Sequence, residues 1–350
     1  MMKGNALVGQ SGGPTSVINA SLQGVIRASR DSRNIRTLYG MRWGIEGFLQ
    51  NLLVNLSRQS NAVVAGLSDT PSSALGSSRY KLKDKDLPAI RAMLEKHGIR
   101  FFFLIGGNDT MDTVHRVEAY CRENGYELRG IGIPKTVDND LVGTDYTPGY
   151  PSAARYNALS VQQSGRLARD MQKVDSFVIY QTIGRDAGWL AAAGALARRE
   201  EGDPPHLIYC PERPFVKENF IADAQTCIDK WGYVSIVVSE GLKYPDGTPV
   251  SAAGDEKMDR FGNIEYGAMG GSSVAVNVHR ILSEATSLRG EFQIGESLPM
   301  CAIDRAVESD IERASGCGAE AVRLATAGES GYMVTIVRSG TGKFSFDKAP

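Results

Sequence analysis

Short runs of apolar residues alternate along this chain with segments whose apolar residues recur at helical spacing. In the first half the predicted strands are 5–8, 37–40, 101–105 and 131–133, and the predicted helices are 16–30, 87–97 and 110–123. The second half repeats the alternation, with strands at 176–180, 206–209 and 233–238 and helices at 152–171, 187–198 and 220–231. Helices at 274–285 and 310–325 and a strand at 333–337 complete the series. Buried strands that alternate with helices are typical of parallel sheets.

The length of 350 residues is sufficient for two domains with separate cores. We therefore predict an α/β fold of two Rossmann-like three-layer domains, with the active site in the cleft between them. The first domain is predicted to comprise 1–150 and about 300–338, the second 151–299, and 339–350 is interpreted as a C-terminal tail. Residues 243–271 are predicted to be rich in loops.

The composition is that of an ordinary globular protein, with 42% hydrophobic and 23% charged residues and a formal net charge of −1. There is no basic excess or polybasic cluster, so we expect no nucleic acid and no membrane as partner. The longest apolar stretch, 189–197, is far shorter than the roughly 20 residues of a membrane span. The first residues lead into a strand-like run rather than a signal peptide, and the five cysteines are scattered. We therefore expect a cytoplasmic protein with free thiols.

Two polar motifs directly follow buried strands of the first half. Residues 106–110 have the sequence GGNDT, and residues 134–140 have the sequence PKTVDND. The carboxyl ends of parallel strands meet at one edge of a sheet, and ligands of such folds bind at this edge. Glycine lets the backbone approach an anion, lysine supplies a charge for phosphate, and carboxylates hold Mg²⁺ or take a proton. The combination favours phosphoryl transfer over hydride or acyl chemistry.

A glycine-rich turn at 9–15 lies between the first predicted strand and its helix. Such a turn directs backbone N–H groups and the positive end of a helix dipole towards an anion. The turn matches neither GxGxxG nor GxxxxGK[ST], and many glycine-rich turns bind nothing. A later loop ends in Arg79, which by itself is typical of a solvated surface arginine. Beside the two polar motifs, we interpret the turn at 9–15 as an anion-binding loop.

Together these motifs resemble the phosphofructokinase family, in the form that uses pyrophosphate rather than ATP. The similar segments are 9–15, 75–79, 106–110, 134–140, 183–185, 239–241 and the helix that begins at 310. The resemblance implies a phosphoryl donor bound by the first domain, a sugar phosphate bound by the second, and Mg²⁺ as cofactor. It also implies a homodimer or homotetramer, because the active sites of family members draw on neighbouring subunits.

By the same resemblance, Asp138 is the general base that takes the proton from the acceptor hydroxyl as it attacks phosphorus. Thr136 and Asp140 orient the acceptor and hold the base, and Lys135 belongs to the catalytic set. A solvated turn is the alternative interpretation of the two aspartates, because Asp-Asn-Asp is favourable turn chemistry. The adjacent lysine and the GGNDT motif favour the catalytic interpretation.

The resemblance also implies which residues contact each substrate. The implied donor-binding residues are Gly12, Gly13, Arg79, Gly107, Asn108, Asp109 and Thr110. The implied acceptor-binding residues are Thr136, Asp138, Ile183, Gly184, Arg185 and Glu240. Gly12 matches the loop whose backbone N–H meets the transferring phosphoryl group, and Arg185 is also implied to be catalytic. Ile183 replaces a methionine of the family.

Two positions bear on the phosphoryl donor. ATP-using relatives carry glycine where this chain has Asp109 and Lys135. An aspartate would occupy the space, and oppose the charge, of the α-phosphate of ATP, whereas lysine would bind the leaving phosphate of pyrophosphate. Pyrophosphate is therefore the expected donor. Because Asn108 replaces an aspartate of many relatives, Asp109 is the expected Mg²⁺ ligand.

The expected acceptor is fructose 6-phosphate, phosphorylated on its 1-hydroxyl to fructose 1,6-bisphosphate. The Gln-Arg segment with which the family binds the 6-phosphate is replaced here by residues 295–302, and other family arginines fall near Glu291 and Ser176. Each lost charge-assisted hydrogen bond would weaken binding by about 1.5–3 kcal/mol. The candidates to compensate are Arg280, Arg289 and Arg305.

Two alternatives remain open. The same chemistry could act on a different sugar or polyol, with Glu296 and Ser297 bonding to hydroxyl groups. A non-catalytic sugar-phosphate-binding homologue is the other alternative, and the intact PKTVDND motif argues against it. The chain ends at Pro350 and is shorter than the pyrophosphate-using relatives, so a missing C-terminal segment is one expected explanation.

Overall fold

The computed structural model of the protein describes residues 2–251 and 273–350. Contacts divide the chain into two compact units, which we call unit 1 (1–152 and 300–350) and unit 2 (153–299). Most of the loop-rich stretch predicted at 243–271 lies outside the described residues.

The secondary structure of the described ranges alternates between strands and helices as the apolar pattern predicts. The strands are β1 (Gly4–Gln10), β2 (Ile35–Met41), β3 (Leu53–Asn55), β4 (Ile99–Gly106), β5 (Arg129–Pro134), β6 (Phe177–Thr182), β7 (Leu207–Tyr209), β8 (Val234–Ser239), β9 (Gly290–Ile294), β10 (Tyr332–Arg338) and β11 (Phe344–Ala349). The helices are α1 (Ile18–Asp31), α2 (Gly44–Leu49), α3 (Asn61–Ala65), α4 (Leu87–Lys96), α5 (Asn108–Glu123), α6 (Tyr150–Asp170), α7 (Trp189–Ala192), α8 (Lys217–Trp231), α9 (Val274–Thr286) and α10 (Glu308–Ala327).

Unit 1 is built on a seven-stranded sheet in the order β11-β10-β5-β4-β1-β2-β3. The five strands from β10 to β2 are parallel, and β3 and β11 add antiparallel edges. Alternate residues of β4 face opposite layers: Phe101 and Phe103 pack in the core with α1 and α10, and Phe102 packs in the core with α4 and α5. The sheet is therefore covered on both faces, which explains the continuous apolar run of β4.

Unit 2 contains a four-stranded sheet in the order β7-β8-β6-β9, and all of its strands are parallel. Its main core packs residues of α8 and α9 with the side chains of Phe177, Ile179 and Ile236. The α/β fold with parallel sheets is confirmed.

The structure corrects several details of the predicted elements. Strand β9 was not predicted, because Glu291 and Phe292 are exposed and the strand has no continuous apolar pattern. Residues 344–349, interpreted from sequence as part of a tail, form the edge strand β11 by pairing with β10. The predicted helix at 187–198 is α-helical only over α7 and continues as a 3-10 helix over Ala193–Ala197.

Helices α1 and α10 of unit 1 cross with their backbones in contact. A Cβ atom on Gly24 would overlap the carbonyl oxygen of Ser315, and one on Gly318 would overlap the carbonyl oxygen of Ser21. Only glycine permits this approach at both positions. The crossing fixes the start of α10 relative to α1 and to the loop that precedes α1.

Candidate active site

The topology of the unit 1 sheet selects one edge as a ligand site. From β1 the chain first adds β2 on one side and later β4 and β5 on the other side, so the strand order reverses between β1 and β4. Ligands of open α/β sheets bind outside the carboxyl ends of the strands at such a point. The turns at 11–15, 106–110 and 134–140 all follow these ends. A hydrogen bond from the Ser11 N–H to the carbonyl oxygen of Ile105, at 2.9 Å, holds the first turn beside β4.

Lys135 lies at the centre of this edge and is only 4% exposed. Its backbone N–H donates to Gly106 at 3.0 Å, and its Nζ donates to the carbonyl oxygen of Gly13 at 2.5 Å. Burial lowers the pKa of Lys135 to about 8; the charge of Arg79 also lowers it, and the carboxylates of Asp138 and Asp140 oppose the change. The structure therefore brings a buried cation to the glycine-rich turn.

The loop of Asp138 is held by hydrogen bonds within unit 1. The Asp138 N–H donates to Thr136 Oγ1 at 3.1 Å, and Thr147 Oγ1 donates to the carbonyl of Thr136 at 2.8 Å. Asn139 has a left-handed φ of 57° and accepts from the Thr147 N–H at 2.9 Å. Asp138 is half-buried, whereas Asp140 is exposed. A carboxylate at position 138 is thus held by its backbone and keeps access to a ligand.

The GGNDT turn joins this loop through a side-chain contact. Asn108 Nδ2 donates to Asp140 Oδ2 at 2.9 Å. Gly106 is required because a Cβ atom there would overlap the buried side chain of Thr110. Asp109 is exposed in the first turn of α5, so its carboxylate lies at the positive end of a helix dipole. Gly107 precedes the helix, and a Cβ atom there would lie 3.7 Å from the carbonyl oxygen of Lys135.

The glycine-rich turn is hydrogen-bonded to the loop that carries Arg79. Gly12 has a φ of 74°, and its N–H donates to the carbonyl of Ser78 at 3.1 Å. The same contact, with a bond from Ser77 Oγ to the Gly12 carbonyl at 2.5 Å, fixes the loop that carries Arg79. Arg79 is half-buried and close enough to Lys135 to influence its pKa.

In unit 2, the predicted acceptor residues lie at the carboxyl ends of β6 and β8. Gly184 has a φ of 129°, and its N–H donates to Glu240 Oε1 at 3.2 Å. A Cβ atom on Gly241 would overlap the carbonyl oxygen of Arg185, so the two turns lie directly against each other. Ile183 and Arg185 are half-buried beside them. Within unit 2, the structure thus brings together Ile183, Gly184, Arg185 and Glu240.

A second carboxylate lies at the same edge of unit 2, after β9. The buried Gln181 donates from Nε2 to Glu296 Oε1 at 2.6 Å. Its Oε1 accepts from Ser273 Oγ at 2.7 Å and from the Ala275 N–H at 2.8 Å. These two donors fix the amide orientation of Gln181, so its NH₂ group is aimed at Glu296. From the sequence, Glu296 was predicted only to bond to hydroxyl groups of an alternative acceptor. Its place at this edge could not be predicted because β9 was not predicted.

The cationic side chains proposed to compensate in unit 2 lie elsewhere. Arg289 precedes β9 and lies near the amino end of β6, where its carbonyl accepts from the Ser176 N–H at 2.8 Å. Its side chain is 78% exposed and pairs with Asp175 at 3.5 Å. Since β6 and β9 are parallel, Arg289 lies at the edge of the sheet opposite to Gly184 and Glu296. Arg280 is exposed on α9 and donates to Asn277 Oδ1 at 2.8 Å.

The described ranges contain neither a preformed cluster of metal ligands nor a helix that could cross a bilayer. Among residues 2–251 and 273–350, no three His, Cys, Asp or Glu side chains form a preformed metal-binding group. In the same part of the chain, no helix has both the length and the apolar character needed to cross a bilayer. All five cysteines are free: Cys121, Cys210, Cys227, Cys301 and Cys317.

Positioned charge with little covalent chemistry is what phosphoryl transfer requires, and the edge of the unit 1 sheet offers such an arrangement. The class that the fold and this edge define is an α/β phosphotransferase. More narrowly, the chain belongs to the phosphofructokinase family, because it matches the family described as Phosphofructokinase over residues 5–314.

Known proteins agree with this assignment over almost the whole chain. A pyrophosphate--fructose 6-phosphate 1-phosphotransferase of Halomonas elongata is 39% identical over 348 residues, which cover 97% of this chain and 81% of the relative. A sulfofructose kinase of Alkalicoccus urumqiensis is 32% identical, covering 95% of this chain and 84% of the relative. The crystal structure of a pyrophosphate-dependent phosphofructokinase from Nitrosospira multiformis superposes with a TM-score of 0.88 at 35% identity, covering 99% of this chain and 82% of that one.

Proposed function

We propose that this protein is a pyrophosphate- and Mg²⁺-dependent phosphotransferase that phosphorylates the 1-hydroxyl of fructose 6-phosphate. The observation that carries the proposal is the buried Lys135, whose Nζ lies on the carbonyl of Gly13 beside the loop of Asp138. A cation, a glycine-rich turn and a carboxylate at one edge supply a phosphate site and a base in the same place. The name of the Halomonas elongata relative supports the same donor and acceptor.

In the proposed reaction, Asp138 takes the proton of the 1-hydroxyl as the hydroxyl oxygen bonds to one phosphorus of pyrophosphate. The bond from that phosphorus to the bridging oxygen breaks, and the bridging oxygen leaves with orthophosphate. Lys135 stabilises the charge of the leaving phosphate, and Arg79 that of the transferring group. This division of roles follows the general requirements of phosphoryl transfer, positioning and charge neutralisation.

Pyrophosphate is favoured over ATP by the charges on unit 1. Asp109 is exposed in the first turn of α5, where a longer polyphosphate would meet its negative charge. The pKa of Lys135, lowered to about 8 by burial, leaves the side chain mostly protonated at neutral pH. It can therefore neutralise a compact anion that reaches the glycine-rich turn.

The carboxylates of this edge fit Mg²⁺. In phosphate-transfer sites Mg²⁺ is usually held by one or two carboxylates together with substrate phosphate oxygens. The exposed Asp109 and the half-buried Asp138 are oxygen donors at the ends of neighbouring strands, and Asp109 is the proposed ligand. When bound, Mg²⁺ would neutralise part of the charge of pyrophosphate.

We assign the sugar to Ile183, Gly184, Arg185 and Glu240 of unit 2, with Thr136 and Asp140 orienting the reacting hydroxyl and supporting Asp138. The Gly184–Glu240 hydrogen bond fixes the carboxylate relative to the turn of Arg185, so a sugar would meet a rigid set of polar groups. We also propose a cytoplasmic homodimer or homotetramer, which size-exclusion chromatography with light scattering would test.

A second acceptor class is favoured by one observation in unit 2. Glu296 is anchored by Gln181 at the ligand edge, and Arg289 lies at the opposite edge. A carboxylate there would repel a phosphate group and would accept hydrogen bonds from hydroxyl groups. The second candidate function is therefore the same transfer to a sugar or polyol that lacks a phosphate at this position. The sulfofructose kinase shows that family relatives include enzymes named for a different acceptor.

An acceptor panel distinguishes the two candidates. With pyrophosphate and Mg²⁺ in excess, kcat/KM would be measured for fructose 6-phosphate, fructose, a sulfonated fructose and linear polyols. Fructose 6-phosphate should give the highest value. A higher value for an unphosphorylated acceptor would replace the first candidate by the second, and no turnover with any acceptor would contradict both.

A further inference from the structure

A fully buried carboxylate in unit 1, Asp310, lies outside the predicted catalytic set. Asp310 lies in the first turn of α10, and its exposed fraction is 0%. Its Oδ1 accepts from the Gly149 N–H at 3.1 Å, and its Oδ2 accepts from the Ser152 N–H at 3.2 Å and from Ser152 Oγ at 2.6 Å. The carboxylate therefore binds the amino end of α6 across 161 positions of sequence.

Keeping a charge in this position is unfavourable by itself. Burial raises the pKa of Asp310 to about 6, and the bonds from Ser152 and Gly149 and the charge of Arg313 oppose the rise. Burial raises the pKa of both Tyr146 and Cys317, and the charge of Asp310 adds to each rise. Because a buried carboxylate seldom stabilises a fold more than apolar packing would, its presence favours a role in positioning.

Gly149 links the carboxylate to two loops of the active site. It has a φ of 108°, which disfavours other residues, and it forms a β-bridge with Thr136 in the loop of Asp138. On its other side, a Cβ atom would lie 2.6 Å from Thr15 Cγ2 in the glycine-rich turn. Thr147, two residues earlier, donates from its Oγ1 to the carbonyl of Thr136 at 2.8 Å. A shift of Gly149 would therefore move Thr136 and, through it, Asp138.

Asp310 is well placed to prevent such a shift. The backbone contact of α10 with α1, through Gly24 and Gly318, fixes the helix that carries Asp310. Helix α1 follows the glycine-rich turn, so the pair formed by α1 and α10 holds both this turn and the carboxylate of Asp310. The hydrogen bond from the Gly149 N–H to Asp310 then fixes the position of Gly149 relative to this helix pair.

We propose that Asp310 is a positioning residue for phosphoryl transfer, which holds the loop of Asp138 in register with the glycine-rich turn through Gly149. The inference rests on the proposed function, since it requires Asp138 to act as the base. Asp310 itself contacts neither substrate in this account. Its effect should appear in the rate of the reaction and leave donor affinity nearly unchanged.

The direct test is Asp310→Asn, which keeps the shape of the side chain but replaces one acceptor oxygen by an NH₂ group. We expect kcat to fall by about 10- to 100-fold, as for a small displacement of a reacting group, with KM for pyrophosphate within about twofold of wild type. Glu312→Gln, at an exposed position of the same helix, is the matched control and should leave both constants unchanged.

A double-mutant cycle separates positioning from a general structural effect. Since Asp310 is proposed to act through Asp138, Asp310→Asn should reduce kcat by less than about twofold when Asp138 is already Asn. An equal reduction in both backgrounds would overturn the proposal, as would wild-type kcat in folded Asp310→Asn. If Asp310→Asn does not fold, Ser152→Ala removes the 2.6 Å bond to Asp310, together with the 3.1 Å bond that Ser152 Oγ accepts from the Val307 N–H, and should show the same pattern with a smaller loss. Wild type without turnover would instead refute the proposed function.

Discussion

Replacement of Lys135 by methionine should stabilise the protein while abolishing most of its activity. Lowering the pKa of a lysine from 10.5 to about 8 by burial corresponds to roughly 3 kcal/mol of unfavourable free energy for the charged form. Methionine has a similar length and no charge, so it removes this term. Loss of the hydrogen bond from Nζ to the Gly13 carbonyl cancels about 1 kcal/mol of this stabilisation. We therefore expect the free energy of unfolding of unit 1 to increase by about 2 kcal/mol.

The stabilisation by Lys135→Met should depend on pH, because the buried lysine loses its proton at a lower pH than a lysine of the unfolded chain. Between about pH 8 and 10.5 the unfolded chain holds the Lys135 proton and the folded chain has released it, so stability rises with pH across this window. Below pH 8 both states hold the proton and the whole unfavourable term is present. The advantage of Lys135→Met should therefore be largest at pH 7 and shrink as the pH approaches 10.

Calorimetry would measure the midpoint of the unit 1 transition for wild type and Lys135→Met at pH 7 and pH 9.5. At pH 7 the variant should melt about 4–8 °C higher, the shift expected for about 2 kcal/mol in a unit of this size. Lys85→Met, at an exposed lysine, is the control and should show no such difference. A variant that melts lower at pH 7, or a difference independent of pH, would refute the argument from burial.

The same ionisation should be visible in catalysis. In wild type, kcat/KM for pyrophosphate should fall above about pH 8, because the free enzyme loses the Lys135 charge. Lys135→Met should lower kcat/KM by about 10- to 100-fold at pH 7, as expected for loss of a charge-assisted hydrogen bond to phosphate. Unchanged kcat/KM in this variant would remove Lys135 from the donor site.

Four further variants test separate parts of the account. Asp138→Asn should keep the fold and pyrophosphate binding but lower kcat by about 10²-fold or more, measured by a coupled assay and by calorimetric titration; near-normal kcat would exclude it as the base. Asp109→Gly should admit ATP measurably, and more so with Lys135→Gly, whereas wild type already preferring ATP would contradict the donor argument. Gly106→Ala should lower the melting temperature of unit 1, because its Cβ atom would overlap Thr110, and unchanged melting would show that the turn adjusts. Glu296→Gln should lower KM for fructose 6-phosphate several-fold by removing a like charge; a higher KM would show that the carboxylate helps to bind the sugar.

The elements that position the donor site were predictable because their apolar pattern is strong. Strand β4 is buried on both faces, and its run Phe101–Ile105 contains no polar residue. The turns after β1, β4 and β5 could be placed at one edge because parallel strands share the direction of their carboxyl ends. Lys135 and Asp138 were therefore assigned to the same edge from the sequence.

The acceptor side was less accessible because it depends on β9. The half-exposed side chains of Gly290–Ile294 conceal the strand in the sequence. Unless this strand is predicted, the sequence does not indicate that Arg289 lies before its amino end and Glu296 beyond its carboxyl end. The sequence therefore did not reveal that Arg289 lies at the edge of the sheet opposite to Gly184 and Glu240.

The contact of Asp310 with Gly149 could not be predicted for a different reason. The two residues are separated by 161 positions, and a carboxylate at the start of a helix usually faces solvent. Here the side chain is buried because it accepts hydrogen bonds from Gly149 and Ser152 at the amino end of α6. Long-range hydrogen bonds of buried charges depend on tertiary structure and leave no periodic pattern in the sequence.

The most direct test of the central claim is a ³¹P NMR time course of the wild-type protein with pyrophosphate, fructose 6-phosphate and Mg²⁺. The account predicts that pyrophosphate disappears as a sugar bisphosphate and orthophosphate appear in equal amounts, and that replacing pyrophosphate by ATP slows product formation by at least about 100-fold. No consumption of pyrophosphate with any acceptor, or faster transfer from ATP, would contradict it.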